Sequence, residues 1–167
     1  MVSKHVSHLL IAAILILAQL PAMLLAAGGS GLPLPRFVTL KNDDINVRTG
    51  PGTRYPIAWV YHRAGMPVEI IEEYDLWRKI RDIEGTTGWV HKTMLDGKRN
   101  IMVKGKEARI VRIDPEPDAK PLLKTEPMVT AHLLECQIDW CRVQVSGRRG
   151  WLEKKYLWGV YPEEVFE

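Results

Sequence analysis

The sequence predicts an all-β fold: two small β-barrels in tandem behind an N-terminal export segment. Three observations predict it. No window of a dozen residues carries the 3.6-residue apolar period of an amphipathic helix. Short β-branched and aromatic runs are instead punctuated by Gly-, Pro- and Asp-containing turns, the pattern of a small barrel. The chain also repeats itself: Gly88-Trp89-Val90-His91-Lys92-Thr93-Met94-Leu95 returns 62 residues later as Gly150-Trp151-Leu152-Glu153-Lys154-Lys155-Tyr156-Leu157.

Residues 1–27 read as a cleaved signal segment. Lys4, the only charged residue among them, precedes an apolar run from Leu9 to Leu20 broken only by Gln19. Pro21 ends the run and Ala26-Ala27-Gly28 offers small residues for cleavage, the charged-apolar-small order of secretion signals. An uncleaved anchor is the competing reading and is the only membrane contact the sequence supports. Either way the rest is expected outside the cytoplasm, periplasmic or secreted. Residues 28–36 are Gly- and Pro-rich, a flexible lead-in.

The first unit is expected over 37–96. Phe37–Leu40 opens it, Lys41-Asn42-Asp43-Asp44 turns, and Ile45–Arg48 follows. That run stops at Gly50-Pro51-Gly52, because proline fixes its own φ and removes a donor while the glycines allow a tight polar loop. Ile57–Tyr61 returns as a half-buried aromatic strand. Val68–Tyr74 and Trp77–Arg81 are joined by Asp75-Leu76, and Gly88–His91 closes the unit. Asp96–Asn100 links to a second unit over 101–162. In it Trp140-Cys141-Arg142-Val143 answers Trp77-Arg78-Lys79-Ile80, and Val111-Arg112 answers Val47-Arg48. Each unit is roughly 60 residues, a size at which one core is marginal, so the two are expected to pack together.

Asn46-Val47-Arg48-x-Gly50-Pro51-Gly52-x-x-Tyr55-Pro56, with Trp77 and Gly88-Trp89-Val90, resembles the bacterial SH3 domain family of secreted and envelope proteins. Leu157–Pro162 resembles the end of a two-domain secreted subtype. The resemblance implies two tandem SH3-like barrels. The second is degenerate, since Ile113-Asp114-Pro115-Glu116-Pro117 lacks the glycines of the first loop. It also implies a groove near that loop for extended or Pro-rich peptides. Arg48, Tyr55, Trp59 and Tyr61 are the candidate ligand-binding residues, with Arg48 read first as a residue that orders the loop carbonyls. Trp77, Trp89, Trp140 and Trp151 are expected inside the barrels.

Cys136 and Cys141 flank Gln137-Ile138-Asp139-Trp140. With Ile138-Asp139 as the turn, the cysteines face each other across a hairpin within disulfide range, and an exported chain meets oxidising conditions. The rival reading, a reactive thiol beside His132 or His91 in a small hydrolase, lacks a catalytic domain. His62, His91 and His132 have no metal-ligand spacing, so no metal or cofactor is expected. The formal net charge of +3 is too balanced for a nucleic-acid protein. Residues 92–112 hold seven basic and two acidic side chains, read as a solvated face. The sequence therefore points to a non-enzymatic adaptor of the bacterial envelope that binds cell-wall peptidoglycan or an extended peptide. The alternative is a module that docks onto an envelope protein segment without touching glycan.

Overall fold

Strand begins where the lead-in's prolines end. The computed structural model describes residues 29–166, so the expected signal at 1–27 lies outside it. The first unit holds β1 (Arg36–Leu40), β2 (Ile45–Arg48), β3 (Ile57–Tyr61), β4 (Pro67–Tyr74), β5 (Trp77–Arg81), β6 (Thr87–His91) and β7 (Leu95–Asp96). The second holds β8 (Asn100–Val103), β9 (Arg109–Arg112), β10 (Pro121–Thr125), β11 (Thr130–Cys136), β12 (Trp140–Val145), β13 (Arg148–Glu153) and β14 (Leu157–Trp158). A 3-10 turn precedes each last strand, at Lys92–Met94 and Lys154–Tyr156.

The sheet orders are β3-β2-β6-β5-β4-β1-β7 and β10-β9-β13-β12-β11-β8-β14, the same path taken twice. The registers repeat as well. Arg48 faces Trp89 as Arg112 faces Trp151, and Ile80 faces Gly88 as Val143 faces Gly150. The internal duplication read from the sequence is therefore a duplication of structure.

Both cores are aliphatic. The first gathers Leu40, Ile45, Val47, Val68, Ile70, Ile80 and Val90; the second gathers Ile101, Val111, Leu133, Val143, Leu152 and Leu157. Trp89, Trp140 and Trp151 are buried, but Trp77 is only half-buried, and none of the four joins either packed cluster. Strand parity is the reason. Ile80 points inward, so Trp77, three residues earlier on β5, points to the other face.

The barrels pack on each other through the linker and the C-terminal segment. Met102 of β8 is buried in the first unit's core. The Trp158 indole packs against that core, stands edge-on to Phe37 at 4.9 Å, and donates its N–H to the Pro67 carbonyl at 3.0 Å. The Tyr161 hydroxyl donates to Glu69 at 2.8 Å. Arg99 in the linker forks onto both Glu164 oxygens at 2.7 and 3.1 Å and onto the Gly159 carbonyl at 2.7 Å. The second unit also runs past residue 162, since Phe166 pairs with Cys136.

Cys136 and Cys141 form the expected disulfide across β11 and β12, with Cα atoms 4.0 Å apart. The Gln137 N–H donates to the Trp140 carbonyl, which closes the hairpin over Ile138-Asp139.

The lead-in, expected to be flexible, is tied down near its start by Ser30 and at its last residue by Arg36. Ser30 donates from its amide and its hydroxyl to Glu73, and Arg36 and Arg78 pair with the same carboxylate. Burial pushes the Glu73 carboxyl up, but the Arg36 guanidinium and Ser30 outweigh it and hold it at about 2, against 4.5 ordinarily. A carboxylate held low contributes stability above its unfolded pKa and loses it as pH falls through the folded value. At roughly 1.4 kcal/mol per unit, this one is worth about 3 kcal/mol between pH 5 and pH 2. Urea unfolding across that range is expected to show this loss in the wild type. Glu73→Gln should be destabilised at neutral pH and show a correspondingly flatter acid limb.

Candidate functional site

The loop after β2 is organised from within. The Arg48 guanidinium donates to the Tyr55 carbonyl at 2.7 Å and the Thr53 carbonyl at 3.2 Å, so its first role is to hold the Gly-Pro-Gly loop. Arg112 does the same in the second unit, donating to Ala119 at 2.7 Å. The Tyr55 ring lies against Gly50, where a Cβ would come within 2.5 Å of it, and Arg54 sits over the ring at 5.1 Å. Trp59 and Tyr61 share one face of β3, edge-on at 6.1 Å, and both pack against the first core. The Tyr61 hydroxyl donates to Asp82 at 2.7 Å, and burial together with that bond pushes its pKa well above the usual phenol range.

These four candidates do not line one groove. Tyr55 is committed to its own loop and Tyr61 to Asp82. Trp59 lies with Lys79 and Trp89 in a depression of about 310 Å³ that Arg48 also touches. The basic run at 92–112 is likewise dispersed: Arg99 is paired with Glu164, Arg112 holds Ala119, and Arg109 lies over the Tyr156 ring at 3.8 Å.

On the other side of Arg48 the structure assembles a groove of about 230 Å³ that the sequence reading did not single out. Trp77 at the start of β5 and His91 at the end of β6 are register partners and stand edge-on at 5.5 Å. Met94 adds apolar surface from the 3-10 turn, and Asp44 and Asn46 supply polar groups from the β2 side. His91 Nδ1 lies 2.8 Å from the Thr93 hydroxyl, which fixes the ring. An aromatic wall, a thioether and a few hydrogen-bonding groups make a shallow seat for an extended chain. Strand parity was the available signal, since core-facing Ile80 forces Trp77 outward. No group of three or more His, Cys, Asp or Glu side chains able to hold a metal occurs among the described residues.

Comparison with known proteins identifies the family. The chain is 25% identical to "Putative N-acetylmuramoyl-L-alanine amidase YrvJ" of Bacillus subtilis (strain 168), over 72% of this chain and 26% of that protein. It thus spans about a quarter of the length of that relative. Solved structures of NlpC2 and NlpC1 from Trichomonas vaginalis match at 15% and 13% identity, each with a TM-score of 0.33. The matches cover 74% and 80% of this chain and 48% and 49% of those. A family model described as bacterial SH3 domain matches twice, at residues 41–97 and 105–159, one match on each barrel. The chain belongs to the bacterial SH3 domain family and carries that domain twice in tandem.

Proposed function

We propose that the protein is a non-enzymatic binding module of the bacterial cell envelope that recognises peptidoglycan, and that the Trp77–His91 groove of the first barrel is its contact surface. The double match to a bacterial SH3 domain carries the reading. The relative's name, which describes an amidase of N-acetylmuramoyl-L-alanine, supports it. Such a role requires export, which residues 1–27, read from sequence as a signal segment, would supply. The groove suits the peptide part of the wall: an indole face packs against aliphatic side chains, while Asn46 and Asp44 meet backbone amides. The Cys136–Cys141 disulfide supports a structural role for these two cysteines over a nucleophilic one.

Co-sedimentation with purified peptidoglycan tests it. The whole protein is expected to be retained at moderate salt. Trp77→Ala, a change outside the packed core, is expected to weaken retention at least about tenfold, or about 1.4 kcal/mol, with the thermal transition little moved. No retention at low salt overturns the wall reading. Retention indifferent to Trp77→Ala moves the contact elsewhere on the chain.

A further inference from the structure

A larger cleft, about 630 Å³, opens on the second barrel. Its place follows from the duplication. Trp140 and Glu153 line it, register partners as Trp77 and His91 are in the first groove. The chemistry has changed, however. Trp140, Pro162 and Ile138 are among the apolar residues that line it, the last a hairpin-tip residue 75% exposed. Water contact at a branched aliphatic chain is a standing cost that a ligand's apolar group would relieve.

The charges in the cleft are unequal. Lys154 is buried, and its ammonium donates to the carbonyls of Pro162 at 3.2 Å and Glu164 at 2.8 Å. Two neutral acceptors serve three donors, and Lys154 forms no ion pair among the described residues. Lys104 also lines the cleft, and its ammonium has neither an ion-pair nor a hydrogen-bond partner there; burial pushes its pKa down. Lys155 and Glu153 pair with each other and cancel. Asp139 is the remaining carboxylate, so the cleft carries one net positive charge.

We propose that this cleft binds the C-terminal end of a peptide: a free carboxylate held by Lys104 and Lys154, with the adjoining aliphatic side chain against Ile138 and Trp140. A half-desolvated ammonium gains more from a carboxylate than from water, because a charge-assisted hydrogen bond replaces an incomplete solvation shell. A single net positive charge suits a monoanion better than a phosphate dianion. The short apolar wall beside the lysines suits a carboxylate attached directly to the carbon that bears the side chain. The proposal is independent of the first groove and would hold for any peptide of this chemistry.

The test is an NMR titration of the isotope-labelled whole protein with acetyl-alanyl-alanine and with its C-terminal amide. The acid is expected to shift the Ile138 amide and the Trp140 indole N–H saturably, and the amide to bind at least about tenfold more weakly. Lys104→Met should weaken the acid by a similar factor and leave the amide unchanged. Ile138→Ser, at an exposed tip, should weaken both. Equal binding of acid and amide overturns the proposal, as does the absence of saturable shifts at these positions. Shifts confined to Trp77 and His91 overturn it too, while leaving the peptidoglycan reading of the first groove intact.

Discussion

Gly150→Ala is expected to destabilise the protein by about 3 kcal/mol, the upper end of what overpacking costs. Gly150 lies where β13 meets β9. A Cβ there would come within 2.7 Å of the Arg112 carbonyl oxygen, 2.6 Å of a Val111 methyl and 2.9 Å of Leu122. The methyl groups could turn aside; the carbonyl belongs to the strand and could not, short of moving β9. Gly88, its counterpart, presents a milder case. There the nearest atoms are a Val47 methyl and the far edge of the Trp59 indole at 2.9 Å, with the Arg48 carbonyl at 3.3 Å. Side-chain tips yield more readily than backbone, so Gly88→Ala should cost less than Gly150→Ala. For a chain of this size about 3 kcal/mol corresponds to a fall of roughly 6–12 °C in Tm. Thermal unfolding of the two variants followed by circular dichroism decides it. A Gly150→Ala protein within about 0.5 kcal/mol of wild type would show that the crossing is not tight.

The same pair of glycines explains why so much of the fold was legible. A glycine beside a tryptophan, recurring at a fixed interval, marks the point where a curled sheet presses two strands together, and such a point admits no side chain. Strand placement followed from β-branched alternation, and the disulfide from two cysteines equidistant from a two-residue turn. The groove was harder to see. Tryptophan's bulk argued for the core, while the parity of Ile80 on the same strand argued for the surface, and parity prevailed because aliphatic side chains already fill the interior. Tyr55 and Tyr61 lie close to the loop in sequence, yet both are engaged within the first barrel, the one against Gly50 and the other by Asp82. The cleft on the second barrel depends on Lys104 and Pro162 meeting from segments nearly 60 residues apart, a meeting no local pattern announces.

Trp158→Ala is expected to cost about 3 kcal/mol and to uncouple the two barrels. Deleting a fully buried indole costs about 3–5 kcal/mol; this one is half-buried and falls at the lower end, and it belongs to the second sheet while packing against the first core. Its removal opens a void beside Phe37 and leaves the Pro67 carbonyl without its donor. The neighbouring contacts cannot compensate. Gly159 adopts φ +109° where the chain passes against the Asn100 carbonyl, so the segment has no slack to resettle. Arg99 and Glu164 hold the tail to the linker, and Tyr161 to Glu69 holds it to the first barrel, but these polar bonds are each worth about 1–3 kcal/mol. The wild type should therefore unfold in one transition by calorimetry, and Trp158→Ala in two, with the first barrel melting at the lower temperature. Trp158→Phe keeps most of the ring and loses the donor; it should remain a single transition and fall by about 1 kcal/mol, the net worth of one neutral hydrogen bond. If Trp158→Ala still melts as one unit near the wild-type temperature, Met102 and the linker couple the barrels without the indole. The C-terminal segment would then be a passenger on the interface, not its fastening.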